Sequence, residues 1–211
     1  MSIVLYHCHE ARSMRSLWLL NELGLDFELV VMPFDIEKLR TKEYLAISPL
    51  GRVPCLIDQE KVLFESGAIA QHLCENYDRD GLGRSPGNAE RSEWLQWIHF
   101  SETMAVHGAS LVQQNIIITN EAERSPLVQK LELRRLEKSI EVIDQRVSES
   151  NFLLKGGFSA ADIAVGYSLH LARLWTDLKA FVGAFEYYQV LSSRPAFKAS
   201  LPPSSDFPEP S

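Results

Sequence analysis

The sequence predicts an α/β domain at the N-terminus followed by an all-α helical domain. Up to residue 78, short runs of β-forming residues alternate with helical patterns in the order β-α-β-α-β-β-α. Residues 78–88 then form a connector rich in glycine, proline and charged residues. Beyond this connector, strand patterns nearly disappear and amphipathic helical patterns take their place. We therefore expect two domains, over residues 1–78 and 88–211.

The first half of the N-terminal domain predicts two consecutive β-α units. Strands are expected over residues 2–8 and 27–32, and helices over residues 13–24 and around 37–46. Apolar residues recur at helical spacing in the first helix, and Gly24 is a typical stop signal at its end. Two β-α units in succession indicate a pair of parallel strands.

A hairpin and a helix complete the N-terminal domain. Residues 53–57 and 62–64 predict two antiparallel strands, and residues 66–77 predict the helix that follows them. Pro54 is unusual inside the first of these strands. Proline has no N–H to donate to a strand ladder, so it is confined to sheet edges, strand starts and bulges.

The C-terminal domain is predicted to be helical throughout. Long amphipathic helices are expected over residues 90–118 and 127–148. A later helix is predicted to begin with a capping box. Ser159 would cap the helix, and the side chain of Asp162, three residues further on, would bond the backbone N–H of Ser159. The last eleven residues, LPPSSDFPEPS, hold four prolines and predict an extended tail.

Composition limits the classes of function. The net charge of −7 argues against a nucleic-acid binder and against attraction to anionic membrane surfaces. No apolar run approaches the ~20 residues of a membrane-spanning helix, and the N-terminus does not have the pattern of a signal peptide. The three cysteines, Cys8, Cys55 and Cys74, form no metal-ligand pattern. We expect a cytoplasmic protein with reduced thiols and no metal.

A candidate binding site lies between Val53 and Ser66. A cis peptide bond before Pro54 would turn the N–H and C=O of Val53 outward, where an extended peptide could pair with them. Ser66 stands at the first turn of a helix, which suits a carboxylate or phosphate, and Glu65 offers a carboxylate to an ammonium group. The pattern favours a small peptide with a free amino-acid end. The alternative is that Pro54 is a trans edge-strand residue and Ser66 an ordinary N-cap.

Five segments, in the right order along nearly the whole chain, resemble the cytosolic glutathione S-transferases. They are the first helix SMRSLWLLNELGL, the segment ISPLGRVPCL, its Val53-Pro54 pair, Phe64-Glu65-Ser66 and FSAADIAVG. The long helix ERSEWLQWIHFSE is similar to that of the bacterial and fungal members. The resemblance implies a thioredoxin-like N-terminal domain, a helical C-terminal domain with a hydrophobic substrate site, glutathione as co-substrate, and a homodimer.

The resemblance also implies which residues bind glutathione. They are Arg40, Arg52, Val53, Pro54, Glu65 and Ser66. The main chain of Val53 would pair with the cysteinyl unit, beside a cis Pro54. Glu65 and Ser66 would hold the γ-glutamyl end. Arg52 and Arg40 would reach the glycyl carboxylate, although Arg40 is equally consistent with a solvated surface arginine.

Catalysis requires a group that stabilises the thiolate of glutathione, because the thiolate is the nucleophile. The position used by serine-type and cysteine-type members falls on Glu10, with Ala11 beside it, and neither side chain can donate to a thiolate. Two hydroxyls remain as catalytic candidates, Ser13 at the start of the first helix and Tyr6 in the first strand. We favour Ser13 slightly, with Arg12 as electrostatic support. The alternatives are that Ser13 is only an N-cap and Tyr6 only a packed aromatic residue.

A second substrate is expected against one face of the first long helix of the C-terminal domain. Trp97, Ser101, Met104 and His107 fall near one stripe at helical spacing. An apolar, methionine-containing wall suits a small hydrophobic electrophile. The sequence pairs neither His99 nor His107 with a carboxylate, so no catalytic role is assigned to either.

The sequence thus predicts a glutathione S-transferase, in which the activated thiolate attacks an electrophile in conjugation, addition or peroxide reduction. One alternative is a non-catalytic glutathione-binding or protein-interaction module, because the loss of a thiolate donor at Glu10 and Ala11 leaves the binding site intact. Another is a glutathione-dependent isomerase or lyase of a catabolic pathway, which would share the fold and act on a dedicated substrate. No nucleic acid, membrane or metal is expected as a partner.

Overall fold

The fold is taken from a computed structural model, which describes residues 3–203 apart from the side chain of Ile36. Most of the predicted extended tail, residues 204–211, lies outside the described residues. The chain forms two compact units. The first runs from the N-terminus to Ser85 and also takes in the chain from Ser193, and the second is Pro86–Ser192.

A four-stranded sheet forms the centre of the first unit. The strands are β1 (Ile3–His7), β2 (Glu28–Val31), β3 (Cys55–Asp58) and β4 (Lys61–Phe64). Their order is β2-β1-β3-β4, with β1 parallel to β2 and antiparallel to β3, and β3 antiparallel to β4. The predicted parallel pair and hairpin are confirmed.

Four helices belong to the N-terminal part of this unit. They are α1 (Ser13–Glu22), α2 (Ile36–Leu39), α3 (Lys42–Ile47) and α4 (Ser66–Tyr77). The single helix predicted over residues 37–46 is therefore two short ones. The break occurs because Thr41 is extended and its hydroxyl accepts the N–H of Tyr44, which starts a new helix.

The third strand begins later than predicted. It starts at Cys55 rather than at residue 53, directly after a cis Val53–Pro54 bond. Because Pro54 has no N–H, the ladder with β1 ends at the pair Tyr6 and Cys55. The main chain of Val53 therefore lies outside the sheet.

The C-terminal residues of the described chain belong to the first unit and pack on α1. The ring of Phe197, in α9 (Pro195–Lys198), packs edge-on against the ring of Trp18, with 4.9 Å between the ring centroids. Nε and Nη2 of Arg194 donate hydrogen bonds of 2.6 and 2.8 Å to the two carboxylate oxygens of Glu22. The predicted domain 88–211 thus differs from the observed second unit at its C-terminal end, because these contacts anchor the last helix to α1.

The second unit is helical, and α7 is its most deeply buried helix. It contains α5 (Arg91–Val112), α6 (Pro126–Val147), α7 (Ala160–Ala172) and α8 (Val182–Ser193), the last of which ends at the unit boundary. α5 packs against both α6 and α7, and almost every residue of α7 is buried. The helix predicted over residues 90–118 is α-helical to Val112 and continues as a π-helix over Gln113–Ile117. None of the helices within residues 3–203 is both long and apolar enough to span a bilayer.

The predicted capping box of α7 is confirmed. The Ser159 main-chain N–H donates to Oδ2 of Asp162 at 2.8 Å, and the Ser159 side chain caps the helix start. Asp162 also accepts the N–H of Leu153 at 2.9 Å and the hydroxyl of Tyr187 at 2.8 Å. This carboxylate is fully buried and joins three segments of the helical unit.

Candidate functional site

The segment before β3 presents an open stretch of main chain. Within the part of the chain that the structure describes, no hydrogen bond involves the N–H or C=O of Val53. Val53 and Ala11 both pack against the buried cluster that contains Cys8 and Cys55. The loop before α1 and the segment before β3 are therefore neighbours on one small core.

Hydrogen bonds from two nearby side chains fix the main chain just before Val53. The hydroxyls of Tyr44 and Ser48 both donate to the carbonyl of Arg52 at 2.8 Å, while the Arg52 side chain stays exposed. Gly51 precedes it with a φ of +58°, and a Cβ there would collide with the carbonyl of Leu39. The conformation before Val53 therefore depends on a glycine at position 51.

Glu65 and Ser66 meet at the N-terminus of α4. Glu65 has a φ of 74°, a conformation that costs a non-glycine residue roughly 1–3 kcal/mol and is most often found at functional sites. Its carboxylate does not cap α4, and the first turn of α4 contains no acidic residue. The positive end of this helix is thus left without an anionic side chain from its own first turn.

The side chain of Arg15, which the sequence interpretation did not single out, reaches Ser66 at the N-terminus of α4. Its Nη1 donates to Oγ of Ser66 at 3.0 Å, and both side chains are buried, at 3% and 5% exposure. One signal was present in the sequence, namely an arginine in the apolar run from Met14 to Leu20. Such a residue is most often solvent-exposed, and only the packing of α1 on α4 shows that this one is enclosed.

Ser13, one of the two candidate thiolate donors, lies inside the turn between β1 and α1. Ser13 is completely buried, its Oγ accepts the N–H of Cys8 at 3.1 Å, and it lies within 3.1 Å of the Cys8 carbonyl. The same oxygen lies 2.8 Å from Nδ1 of His7. The hydroxyl of Ser13 therefore has three hydrogen-bond partners within the chain.

Tyr6, the other candidate, lies half-buried against Tyr44. The two ring centroids are 5.5 Å apart, and Tyr6 packs on the cluster that also contacts Val53. Its hydroxyl has no hydrogen-bond partner among residues 3–203. The nearby thiol of Cys8 is unsuited to act as a nucleophile, because burial raises its pKa to about 11.

Two histidines at the end of β1 are a further feature that the sequence interpretation missed. The rings of His7 and His9 meet edge-on with centroids 5.1 Å apart. Burial, together with the neighbouring His9, lowers the pKa of His7 to about 4. His7 is therefore a neutral imidazole at neutral pH, consistent with its hydrogen bond to Ser13.

The residues of the predicted second-substrate stripe differ in their exposure to solvent. Trp97, Ser101 and Met104 are buried inside the helical unit, where the hydroxyl of Ser168 donates to the Ser101 carbonyl at 3.2 Å. These three side chains are therefore almost entirely removed from solvent. His107 alone stays partly exposed, and its Nδ1 lies 2.7 Å from Glu132, the carboxylate partner that the sequence did not reveal.

The remaining predicted glutathione contact, Arg40, is an exposed residue at the end of α2. The structure assigns it no ion pair among the described residues, which agrees equally with a ligand contact and with a solvated arginine. Residues 3–203 contain no group of three or more histidine, cysteine, aspartate or glutamate side chains that could hold a metal ion.

Comparisons with known proteins agree with these observations. Residues 1–75 match the family described as "Glutathione S-transferase, N-terminal domain". The chain is 31% identical over 196 residues to glutathione S-transferase 4 of Zea mays, with 86% of this chain and 83% of that protein covered. It is 26% identical over 200 residues to glutathione S-transferase 3 of Zea mays, covering 88% and 90%.

The fold is shared with solved structures. A glutathione transferase homolog from Lodderomyces elongisporus, solved with two GSH per subunit, superimposes with a TM-score of 0.84 at 22% identity. The match covers 95% of this chain and 97% of that chain.

Proposed function

The chain belongs to the glutathione S-transferase family, and from this premise we propose that it is an enzyme that binds glutathione and activates its thiolate for attack on a hydrophobic electrophile. Conjugation is the main reaction in this proposal, with addition and peroxide reduction as further reactions of the same thiolate. The homodimer and the cytoplasmic location that the resemblance implied are part of the proposal.

The start of α4 carries the proposal. Glu65 and Ser66 offer a carboxylate and a hydroxyl side by side at the positive end of a twelve-residue helix. A free amino-acid end, which bears both an ammonium and a carboxylate, is complementary to this pair. The γ-glutamyl unit of glutathione has such an end, and the unpaired main chain of Val53 would take its cysteinyl unit.

The opposite end of glutathione would meet the exposed arginines. Arg52 stands next to Val53 in the chain, and its fixed main chain leaves its side chain able to reach a carboxylate beyond the cysteinyl unit. Arg40 is the second candidate for the glycyl carboxylate. Both contacts would be solvent-exposed, so each contributes modestly, about 0–1 kcal/mol.

We assign thiolate stabilisation to the hydroxyl of Tyr6. A free thiol has a pKa near ~8.5, and lowering it by about two units requires roughly 2.7 kcal/mol of preferential interaction with the thiolate. One hydrogen bond from a hydroxyl to the anion supplies about this much. Of the two candidate hydroxyls, Ser13 is occupied internally, whereas Tyr6 is half-buried on the cluster that Val53 also contacts, and its hydroxyl has no hydrogen-bond partner among residues 3–203.

The test is the ultraviolet absorbance of thiolate during a titration of glutathione into the protein at several pH values. We expect the bound thiol to have a pKa well below that of free glutathione. Tyr6→Phe should abolish this shift, and Ser13→Ala should keep it. Loss of the shift in Ser13→Ala alone would return the role to the serine.

A second candidate function is glutathione binding without catalysis. The internal bonds of Ser13, together with Glu10 and Ala11 in place of a donor, favour it. Saturable binding of glutathione with no lowering of the thiol pKa, and no reaction with 1-chloro-2,4-dinitrobenzene, would establish this candidate and exclude the transferase.

A further inference from the structure

We propose that Arg15 is a positioning residue, which orients the Ser66 hydroxyl towards the α-carboxylate of the γ-glutamyl unit. The inference rests on the proposed function, since it assigns a residue and a ligand group to the same site. It makes recognition of that carboxylate depend on a side chain of α1 that lies behind the site.

The first step is the burial of the arginine. Arg15 is 3% exposed although a guanidinium loses much hydration free energy when it leaves water. It lies in a helix whose residues from Ser13 to Leu20 are all buried, where an apolar side chain would be the ordinary choice. A charge enclosed in this way indicates a specific requirement for it.

The second step is the direction of its hydrogen bond. A guanidinium has only donors, so in the 3.0 Å contact between Nη1 of Arg15 and Oγ of Ser66 the serine oxygen must accept. The hydroxyl proton of Ser66 is therefore directed away from Arg15. Donation from a cation also polarises the hydroxyl, which makes it a stronger donor to an anion.

The third step is the sign of the local charge. Arg15 approaches the N-terminus of α4, which already carries the positive end of the helix dipole. The N-cap residue Glu65 makes no side-chain capping bond, and the first turn has no acidic residue to neutralise that end. The Glu65 carboxylate beside Ser66 is complementary to the ammonium group of the γ-glutamyl end, and the guanidinium and the helix dipole at the Ser66 hydroxyl are complementary to its carboxylate.

The test uses ligands that each lack one group of the γ-glutamyl end. 4-Aminobutyryl-Cys-Gly lacks the α-carboxylate, and glutaryl-Cys-Gly lacks the α-amino group and keeps the carboxylate. Dissociation constants for glutathione and for both analogues would be measured by calorimetric titration, with wild type and with Arg15→Met. Arg84→Met is the matched control, because Arg84 is also a buried arginine of the first unit but bonds the carbonyls of the connector.

We expect Arg15→Met to raise the dissociation constants of glutathione and glutaryl-Cys-Gly by about 10-fold or more. This is the usual effect of losing one charge-assisted hydrogen bond. The affinity of this variant for 4-aminobutyryl-Cys-Gly should change by less than about 2-fold, since the group that Ser66 recognises is absent. Arg84→Met should show no such selectivity. Arg15→Lys, which keeps the charge if Arg15→Met does not fold, should show the same selectivity with a smaller loss.

Equal losses for the two analogues, or no loss for glutathione, would overturn the inference and leave the glutathione site standing. Failure of wild type to bind glutathione at all would instead overturn the proposed function. The two failures are therefore separated by the wild-type titration alone.

Discussion

Ser13 and His7 form a buried hydrogen bond, with 2.8 Å between Oγ of the serine and Nδ1 of the histidine. The bond joins the first residue of α1 to the last residue of β1. The same serine oxygen accepts the N–H of Cys8, so one hydroxyl fixes the turn between strand and helix. This explains why a serine at the start of α1 is structural here.

We predict that Ser13→Ala lowers the free energy of unfolding by about 1–3 kcal/mol, because it leaves the Cys8 N–H and a buried imidazole nitrogen without their partner. Urea unfolding measures the loss. Ser16→Ala is the matched control, since Ser16 is buried in the same helix and its hydroxyl makes no hydrogen bond among the described residues. Equal losses for the two variants would contradict the assignment.

Stability should fall on mild acidification because of His7. Burial and His9 hold the pKa of folded His7 at about 4, whereas the unfolded chain has the ordinary value of about 6.5. Between these values the unfolded state binds more protons, so the free energy of unfolding decreases as the pH falls through this window and then levels off. Urea unfolding at a series of pH values should show a flatter profile for His7→Gln, and an identical slope would disprove the prediction.

Gly51→Ala should cost more stability than Gly24→Ala. Both glycines have a φ near +60°, so both substitutions carry the backbone strain of about 1 kcal/mol. A Cβ at Gly24 meets nothing within 4 Å, whereas a Cβ at Gly51 collides with the main-chain carbonyl of Leu39. Thermal unfolding compares the variants. We also expect weaker glutathione binding for Gly51→Ala alone, because the shift would move the segment before Val53.

The helical unit should depend on the Asp162 carboxylate. Asp162→Asn replaces an acceptor oxygen with a donor against the buried groups of Ser159, Leu153 and Tyr187, so we expect a loss of about 3 kcal/mol or more. Tyr187→Phe removes one of these bonds and should cost only about 1 kcal/mol. Chemical denaturation would refute the prediction if the two losses were the same.

Much of the fold could be predicted from local patterns. The parallel strand pair, the hairpin and α4 follow from runs of β-formers, helical spacing and the Glu65-Ser66 boundary, and the capping box of α7 follows from Ser159 and Asp162. These signals lie within a few residues of one another, so the sequence displays them directly. The start of β3 at Cys55 also follows from proline chemistry, although the strand was expected to begin two residues earlier.

The candidate site was predicted in part. The segment at Val53 and the pair Glu65 and Ser66 were recognised because a proline in a strand and a serine at a helix start are visible locally. The partner of Ser66 was not, since Arg15 lies 51 positions away and only the packing of α1 on α4 joins them. The Glu132 partner of His107 was missed for the same reason, with 25 positions between them.

The sequence by itself determined the periodicities, the breaks and the residue types that identify the family and the segments proposed to bind glutathione. Tertiary structure alone decided what each polar group can do. From the sequence, the Ser13 hydroxyl is expected to be available at a helix start. In the structure, the turn between β1 and α1 brings Cys8 and His7 to this hydroxyl, and both form hydrogen bonds with it. Spacing along the chain shows which groups share a face, whereas burial and hydrogen-bond partners depend on elements far apart in sequence.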